Sequence, residues 1–287
     1  MNNRIPMTLD EQKKVMLNIL IEFAKFCDEH NLMYYLDAGT LIGAVRHKGF
    51  IPWDDDIDVN MPQKDYDKFI ELMRNNNGHL TNNFIVEFPE TTIYPYIKIS
   101  DNRTILIEFP QKNPMEVGVY IDVFPKYGIK DKGIKAKLVC KISHWFGLLH
   151  WFNRYSIFAW RHSGNIFKQI IAFLGRHTIK NSVIPIKLQN WFMHKYAKQN
   201  PISKCKYVTT LTNGEYNKLA PIECFDGYQT LEFEGYYFKG PNDYDTYLHC
   251  LYTGDYMELP PIEKRYHHIT EVYWKNKRSK EDYFKTI

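Results

Sequence analysis

The stretch Leu36-Asp-Ala-Gly-Thr-Leu-Ile-Gly-Ala-Val-Arg-His-Lys-Gly-Phe-Ile-Pro-Trp-Asp-Asp-Asp-Ile-Asp58 decides how this chain is read. At its end, Asp56 and Asp58 stand two apart on a segment that continues strand-like through Val59, so both carboxylates point to one face. Carboxylates held side by side in a low-dielectric cleft repel each other. A divalent cation relieves that repulsion, and Mg²⁺ favours a few carboxylates together with substrate phosphates. Upstream, Gly39-Thr40 puts a small residue and a hydroxyl at a strand-to-helix turn, where backbone N–H groups are ready donors for phosphate. The two ends make half of a phosphoryl-transfer site, an anion cradle facing a metal. A lone Asp-x-Asp is common on solvated turns; here apolar Ile57 and Val59 alternate with the acids and Trp53 precedes them.

Working outward, Thr8-Leu9-Asp10-Glu11 reads as a capping box opening a helix. Apolar Leu9, Leu17, Leu20, Ala24 and Cys27 then recur at near-helical spacing. Met33 to Asp37 reads as a short strand, Gly39 to Arg46 as a second helix, His47 to Trp53 as a loop, and Pro62 to Arg74 as a third helix. Four extended stretches follow: Phe84 to Phe88, Tyr94 to Ser100, Arg103 to Phe109 and Val117 to Phe124. The first half is therefore α/β, with helices preceding and interrupting a mixed sheet. Lys132 to Gln199 is helical in pattern and dense in Trp, Phe, Ile, Lys and His. Short strands return around Tyr228 to Lys239, with a helix near Asp243 to Tyr252, and the polar tail after Trp274 is expected to fray. This divides the chain into a core (1–131), a helical insertion (132–200) and a C-terminal part completing the site (201–287).

The net charge of +4 comes without a long Lys/Arg block, which argues against a nucleic-acid binder and leaves a weak attraction to anionic membrane surfaces. Five cysteines, odd in number and without a Cys-x-x-Cys pair, argue against a disulfide framework or zinc ribbon and suit a reducing cytosol. Met1 to Asp10 lacks the layout of a signal peptide. The most apolar long stretch, Leu138 to Trp160, is broken by Lys141, His144, His150, Asn153 and Arg154, too polar for a spanning helix. The expected location is cytoplasmic, with peripheral contact at the inner membrane face as an open alternative. Within that stretch, Trp145, Phe146, Leu148, Leu149, Trp151 and Phe152 cluster beside Lys137, Lys141 and Arg154. The cluster reads either as a helix lying in the head-group region or as a lid packed on the core.

The quoted segment resembles the hallmark of the LicD family, Gly-Thr-Leu-Leu-Gly followed by Arg-His-x-Gly-Phe-Ile-Pro-Trp-Asp-Asp-Asp-Ile-Asp, with Ile42 where Leu is usual. The fukutin group is a distant relation. Lys98-Ile-Ser-Asp-Asn-Arg-Thr104, Tyr120-Ile-Asp122-Val-Phe-Pro125 and Tyr256-Met-Glu-Leu-Pro-Pro261, with Glu263, Arg265 and His267/His268, continue the resemblance. It implies a nucleotidyltransferase-type fold, a mixed β-sheet core with flanking helices. It also implies catalytic and metal-ligating roles for Asp56, Asp58 and Asp122, with Asp122 as third ligand or acceptor base. The cofactor implied is Mg²⁺, with Mn²⁺ as a substitute. Gly39 and Thr40 would hold a donor diphosphate, and Lys98, Arg265 and His268 would meet phosphates. Arg46 and His47 are placed between cradle and acids, where donor contact and a plain solvated turn are equally open. Asp37 is not given a metal role, and Asp54 and Asp55 are read as fixing the loop.

The implied reaction moves a phospho-alcohol from a CDP-alcohol onto a glycan hydroxyl, releasing CMP, with a lipid-linked acceptor as one possibility. CDP-choline ranks first as donor, with CDP-ribitol and CDP-glycerol as alternatives. Rival readings are plain nucleotidyl transfer to a small acceptor and a catalytically inactive membrane-associated scaffold.

Overall fold

β1 (Ile5–Pro6) leads into α1 (Leu9–Glu29), and the capping box forms as read: the Thr8 hydroxyl accepts the Glu11 N–H while the Glu11 carboxylate accepts the Thr8 N–H. The computed structural model describes residues 4–92, 94–108, 115–151, 165–167, 169–170, 184–214, 216–265 and 271–285. Along α1, Val15, Met16, Ile19, Leu20, Phe23, Ala24 and Cys27 form one buried stripe. β2 (Tyr35–Leu36), α2 (Ala38–Ile42), a π-helical turn at Gly43–His47, β3 (Asp58–Pro62) and α3 (Gln63–Asn75) follow. Then come β4 (Phe84–Glu87), β5 (Ile97–Glu108) and β6 (Met115–Ile129). After them stand α4 (Ile134–Trp151), α5 (Ile184–Gln199), β7 (Tyr207–Thr209), β8 (Ala220–Pro221), β9 (Tyr228–Phe233) and β10 (Tyr236–Pro241). The described chain closes with α6 (Tyr244–Leu251), β11 (Val272–Trp274) and α7 (Lys277–Lys285).

Nine of these strands form one sheet in the order β1-β11-β5-β6-β3-β2, with β4 added on β5 and β7–β8 on β6. β3 runs parallel to β6 and its other neighbours are antiparallel, so the sheet is mixed and the fold is α/β. Strand alternation then sorts the side chains. Val59, Met61, Ile97, Ile99, Ile121 and Val123 face the core with Phe23 of α1 and Phe69 of α3, whose rings meet edge to face at 5.4 Å. The intervening residues, Asp58, Lys98 and Asp122 among them, occupy the opposite face. A second, smaller core of Tyr127, Ile129, Ala136, Cys140, Met193, Leu211 and Leu219 lies under α4 and α5.

Two expectations change. The stretches Tyr94 to Ser100 and Arg103 to Phe109 are not separate strands; β5 runs through both with a register shift between Asp101 and Leu106. The polar Asp-Asn-Arg-Thr run looks like a turn, but its groups satisfy one another: Arg103 donates from N and Nε to Asp101 Oδ1 at 2.8 and 3.0 Å, and Thr104 Oγ1 donates to the Asp101 carbonyl at 2.8 Å. That is a bulge with its hydrogen bonds made, so the strand continues. The described part of the tail, to Lys285, does not fray either. Trp274 is fully buried, Tyr283 packs on it at 5.0 Å between ring centres, and the Tyr283 hydroxyl accepts from Asn18 Nδ2 at 2.6 Å. Two aromatic anchors outweigh the polar composition around them. The five cysteines are free; four are buried and Cys250 is half-buried.

Candidate active site

The site is assembled by register. Asp58 of β3 sits opposite Asp122 of β6, and Asp122 opposite Lys98 of β5, so three charged side chains form one row across three strands. The Asp122 N–H donates to the Ile57 carbonyl and the Asp37 N–H to the Asp58 carbonyl, both at 2.9 Å, clamping β3 from both sides. The Thr40 hydroxyl accepts the Asp58 N–H at 2.8 Å, which ties the Gly-Thr turn directly to the acid strand. Ala38, immediately before Gly39, holds a φ of 45°, a left-handed conformation that costs energy outside glycine and marks a turn held by its surroundings. At Gly39 an added Cβ would lie 2.7 Å from Asp54 Oδ2, so a larger residue there would have to push the Asp54 carboxylate aside.

The charge balance is uneven. Lys98, 1% exposed, places Nζ 2.8 Å from Asp122 Oδ1 and 3.8 Å from Glu108 Oε1, over the rings of Tyr120 (3.3 Å) and Tyr94 (4.1 Å). Lys126 places Nζ 3.1 Å from Asp37 Oδ2, and the Tyr247 hydroxyl donates to Asp37 Oδ1 at 2.5 Å. Burial alone would raise the Asp37 carboxyl, but Lys126, Tyr247 and the Ala38 N–H outweigh it and hold it below the usual carboxylate range. Asp58 goes the other way. Burial first, and then the charges of Asp56, Asp122, Asp37 and Asp54, push it well above that range. Asp54 is pushed up to about 6 by burial and Asp55, while its hydrogen bond with the Asp56 side chain pulls it back. Burial raises Asp122 too, against the pull of Lys98. Lys98 and Lys126 are thus engaged at Asp122 and Asp37, Lys13 acts on Asp54 and Asp55, and the carboxylates crowd together around Asp58.

Profile comparison matches residues 31–147 to the LicD/FKTN/FKRP nucleotidyltransferase domain. The chain is 32% identical over 284 residues to the lipopolysaccharide cholinephosphotransferase LicD of Haemophilus influenzae, covering 93% of this chain and 98% of the relative. It belongs to the LicD family. An uncharacterized protein of Rickettsia typhi matches at 33% identity over 66 residues, 23% of this chain and 21% of that protein. The mannosyltransferase regulator 4 of Saccharomyces cerevisiae matches at 28% over 122 residues, 39% of this chain but 10% of its own length.

The LicD-family motif residues separate by position. Asp58 and Asp122 share the polar side of the sheet. Asp56 precedes β3, which opens at Asp58, and acts on Asp58 through its charge. Gly39 and Thr40 stand in the turn bonded to that strand, although the Thr40 hydroxyl is used within the fold. Lys98 is a buried partner of Asp122; a phosphate could reach its ammonium only in competition with that carboxylate. Arg46 is a strut, donating from one guanidinium nitrogen to the carbonyls of Tyr256 (2.5 Å) and Glu258 (3.1 Å), and from Nε to His47 Nε2. Arg265 donates to the Pro260 carbonyl at 2.8 Å and stacks over Trp53 at 4.9 Å, beside the acidic loop. His267 and His268 lie outside the described residues. Asp55 fixes the loop, its carbonyl accepting from Gln12 Nε2 at 2.9 Å.

Several residues that LicD-type motif reading passes over support the site. Glu108 accepts from the hydroxyls of Tyr94 and Tyr120 and faces Lys98. Lys126 and Tyr247 hold Asp37. Glu234, at φ 53° beside Gly235 in the β9–β10 turn, accepts the Phe50 N–H at 2.9 Å and so holds the Arg46-to-Trp53 loop. The Glu-Gly dipeptide before Tyr236 was the one available signal; the others are partners far apart in sequence.

Proposed function

We propose that this chain transfers phosphocholine from CDP-choline to a saccharide hydroxyl of a lipopolysaccharide, releasing CMP. The observation that carries the reading is the end-to-end likeness to a lipopolysaccharide cholinephosphotransferase, supported by the row Asp58, Asp122 and Lys98. The donor set suits Mg²⁺: the hard carboxylates of Asp56, Asp122, Asp37 and Asp54 crowd around Asp58, a repulsion that a divalent cation relieves. Among the described residues no three His, Cys, Asp or Glu side chains form a ready cage, which favours an ion completed by substrate phosphates over a structural metal.

In this reading Asp56 and Asp58 would hold the ion, and its charge would neutralise the donor diphosphate. Gly39 leaves room at the turn beside Asp54. The acceptor hydroxyl oxygen attacks the phosphorus bearing choline, its proton passes to Asp122, and the bond from that phosphorus to the CMP oxygen breaks with the electron pair leaving on CMP. Lys98 keeps the Asp122 carboxylate oriented and ionised until it takes the proton. Incubation with CDP-choline, Mg²⁺ and lipopolysaccharide should release CMP in step with choline incorporation. Pyrophosphate as the product would replace this reading with nucleotidyl transfer.

A further inference from the structure

From Lys132 to Gly214 the chain has no Asp or Glu across 83 residues, yet carries 14 of its 37 Lys and Arg. The rest of the molecule holds the other 23 with all 33 acids, a net of −10. The modest overall charge therefore hides a strongly polarised molecule, in which 14 basic residues share a stretch without acids.

The described part of this stretch is built on α4 and α5. They are joined through Gln189 Nε2, which donates to the Ser143 carbonyl at 3.2 Å, and through the Phe146 and Phe192 rings 6.0 Å apart. Each helix buries one face: Ala136, Cys140 and Ser143 on α4, and Ile186, Gln189 and Met193 on α5. Each exposes another. On α4 the stripe is Ile134, Leu138, Lys141, Trp145, Leu148 and Leu149; on α5 it is Ile184, Leu188, Trp191, Lys195 and Lys198. Trp145 is 58% exposed and Trp191 61%, large apolar rings that a solvated lid would turn inward. Lys135, Lys137 and Lys187 are exposed beside them.

We propose that this helical pair docks on an anionic bilayer surface, its Trp and Leu side chains entering the head-group region and its lysines meeting lipid phosphates. Bulky apolar residues and lysines sharing one stripe fit an interface that is greasy and negative at once, which separates it from a nucleic-acid surface, where lysines would suffice. The sequence left open a lid packed wholly on the core, and the exposed tryptophans favour the membrane. No helix among the described residues is long and apolar enough to cross a membrane, so the contact is peripheral. The pair is also tied to Asp37: Ser143 Oγ donates to the Leu211 carbonyl at 2.5 Å, next to Thr210, whose hydroxyl accepts at 3.0 Å from Lys126, the ion-pair partner of Asp37. The docking holds independently of which group the site transfers.

Co-sedimentation of the full chain with vesicles of phosphatidylcholine containing 40 mol% phosphatidylglycerol, at low salt, tests this. Binding is expected with a blue shift of Trp emission, release in 0.5 M NaCl, and little binding to pure phosphatidylcholine. Lys137→Glu/Lys141→Glu and Lys187→Glu/Lys195→Glu should each lower partitioning about 25-fold or more, since one lysine near such a surface is worth about fivefold. Trp145→Ala and Trp191→Ala should each weaken it several-fold, and circular dichroism with thermal melting confirms that each variant is folded. Absence of binding at low salt, binding to pure phosphatidylcholine of equal strength, or tighter binding to duplex DNA insensitive to Trp145→Ala would each overturn the proposal.

Discussion

Lys98 reaches Asp122 from inside the sheet, and its removal strands two carboxylates, Asp122 and Glu108, in protein surroundings. Lys98→Ala should therefore destabilise the fold by about 3–5 kcal/mol, the usual cost of an orphaned buried charge, read as a lower urea midpoint. A loss below about 1 kcal/mol would show the pair to be structurally dispensable. Asp58 is the opposite case, a carboxylate crowded by Asp56, Asp122, Asp37 and Asp54. Asp58→Asn relieves that crowding, so the melting temperature should hold or rise while turnover falls by about a hundredfold or more. Near-normal turnover at saturating Mg²⁺ would remove Asp58 from the proposed metal site.

At the scale of elements, α3 and α5 are linked by His194 Nε2 and Asp67 Oδ2 at 3.1 Å. The hydrogen bond to Asp67 raises the His194 pKa above its ordinary value, against partial burial. Because the folded pKa is raised, the stabilisation is complete below the unfolded value near 6.5 and disappears as pH climbs through the raised folded value. More than half of the His194 side chain is exposed, so the gain is at most a few tenths of a kcal/mol. Melting curves of the native chain and Asp67→Asn should differ at pH 5.5 and converge at pH 8.5; a constant offset would mean that the pair does not titrate. The bulge in β5 and the docking of α7 belong to this scale too. A polar run reads as a turn until its side chains are seen to bond each other, and a polar tail reads as frayed until Tyr283 is seen against Trp274.

For the molecule as a whole, the proposed ion would serve the reaction and not the fold, since Asp58 hangs from a strand already held by Thr40 and Asp37. EDTA should abolish choline transfer and leave the melting temperature within about 2 °C, whereas a collapse on chelation would reveal a structural metal. One stretch of sequence made the acid strand and the strand-to-helix turn legible, because both signals are local. Alternation did not reach Asp56, since β3 opens only at Asp58, and the strained turn residue is Ala38 and not the glycine after it. The capping box of α1, the buried stripe that follows it and the α/β character of the first half were local in the same way. Tertiary structure alone decided what each charge meets. Register brought Lys98 to Asp122 across 24 residues, and folding brought the Tyr247 hydroxyl to Asp37 across 210. Whether Trp145 and Trp191 are core or surface was likewise undecidable from spacing, since a helix of apolar residues and lysines satisfies both a buried lid and a membrane-facing stripe. Packing against the second core buried one face of each helix and left the tryptophans on the other, because a helix turns only one side toward its neighbour.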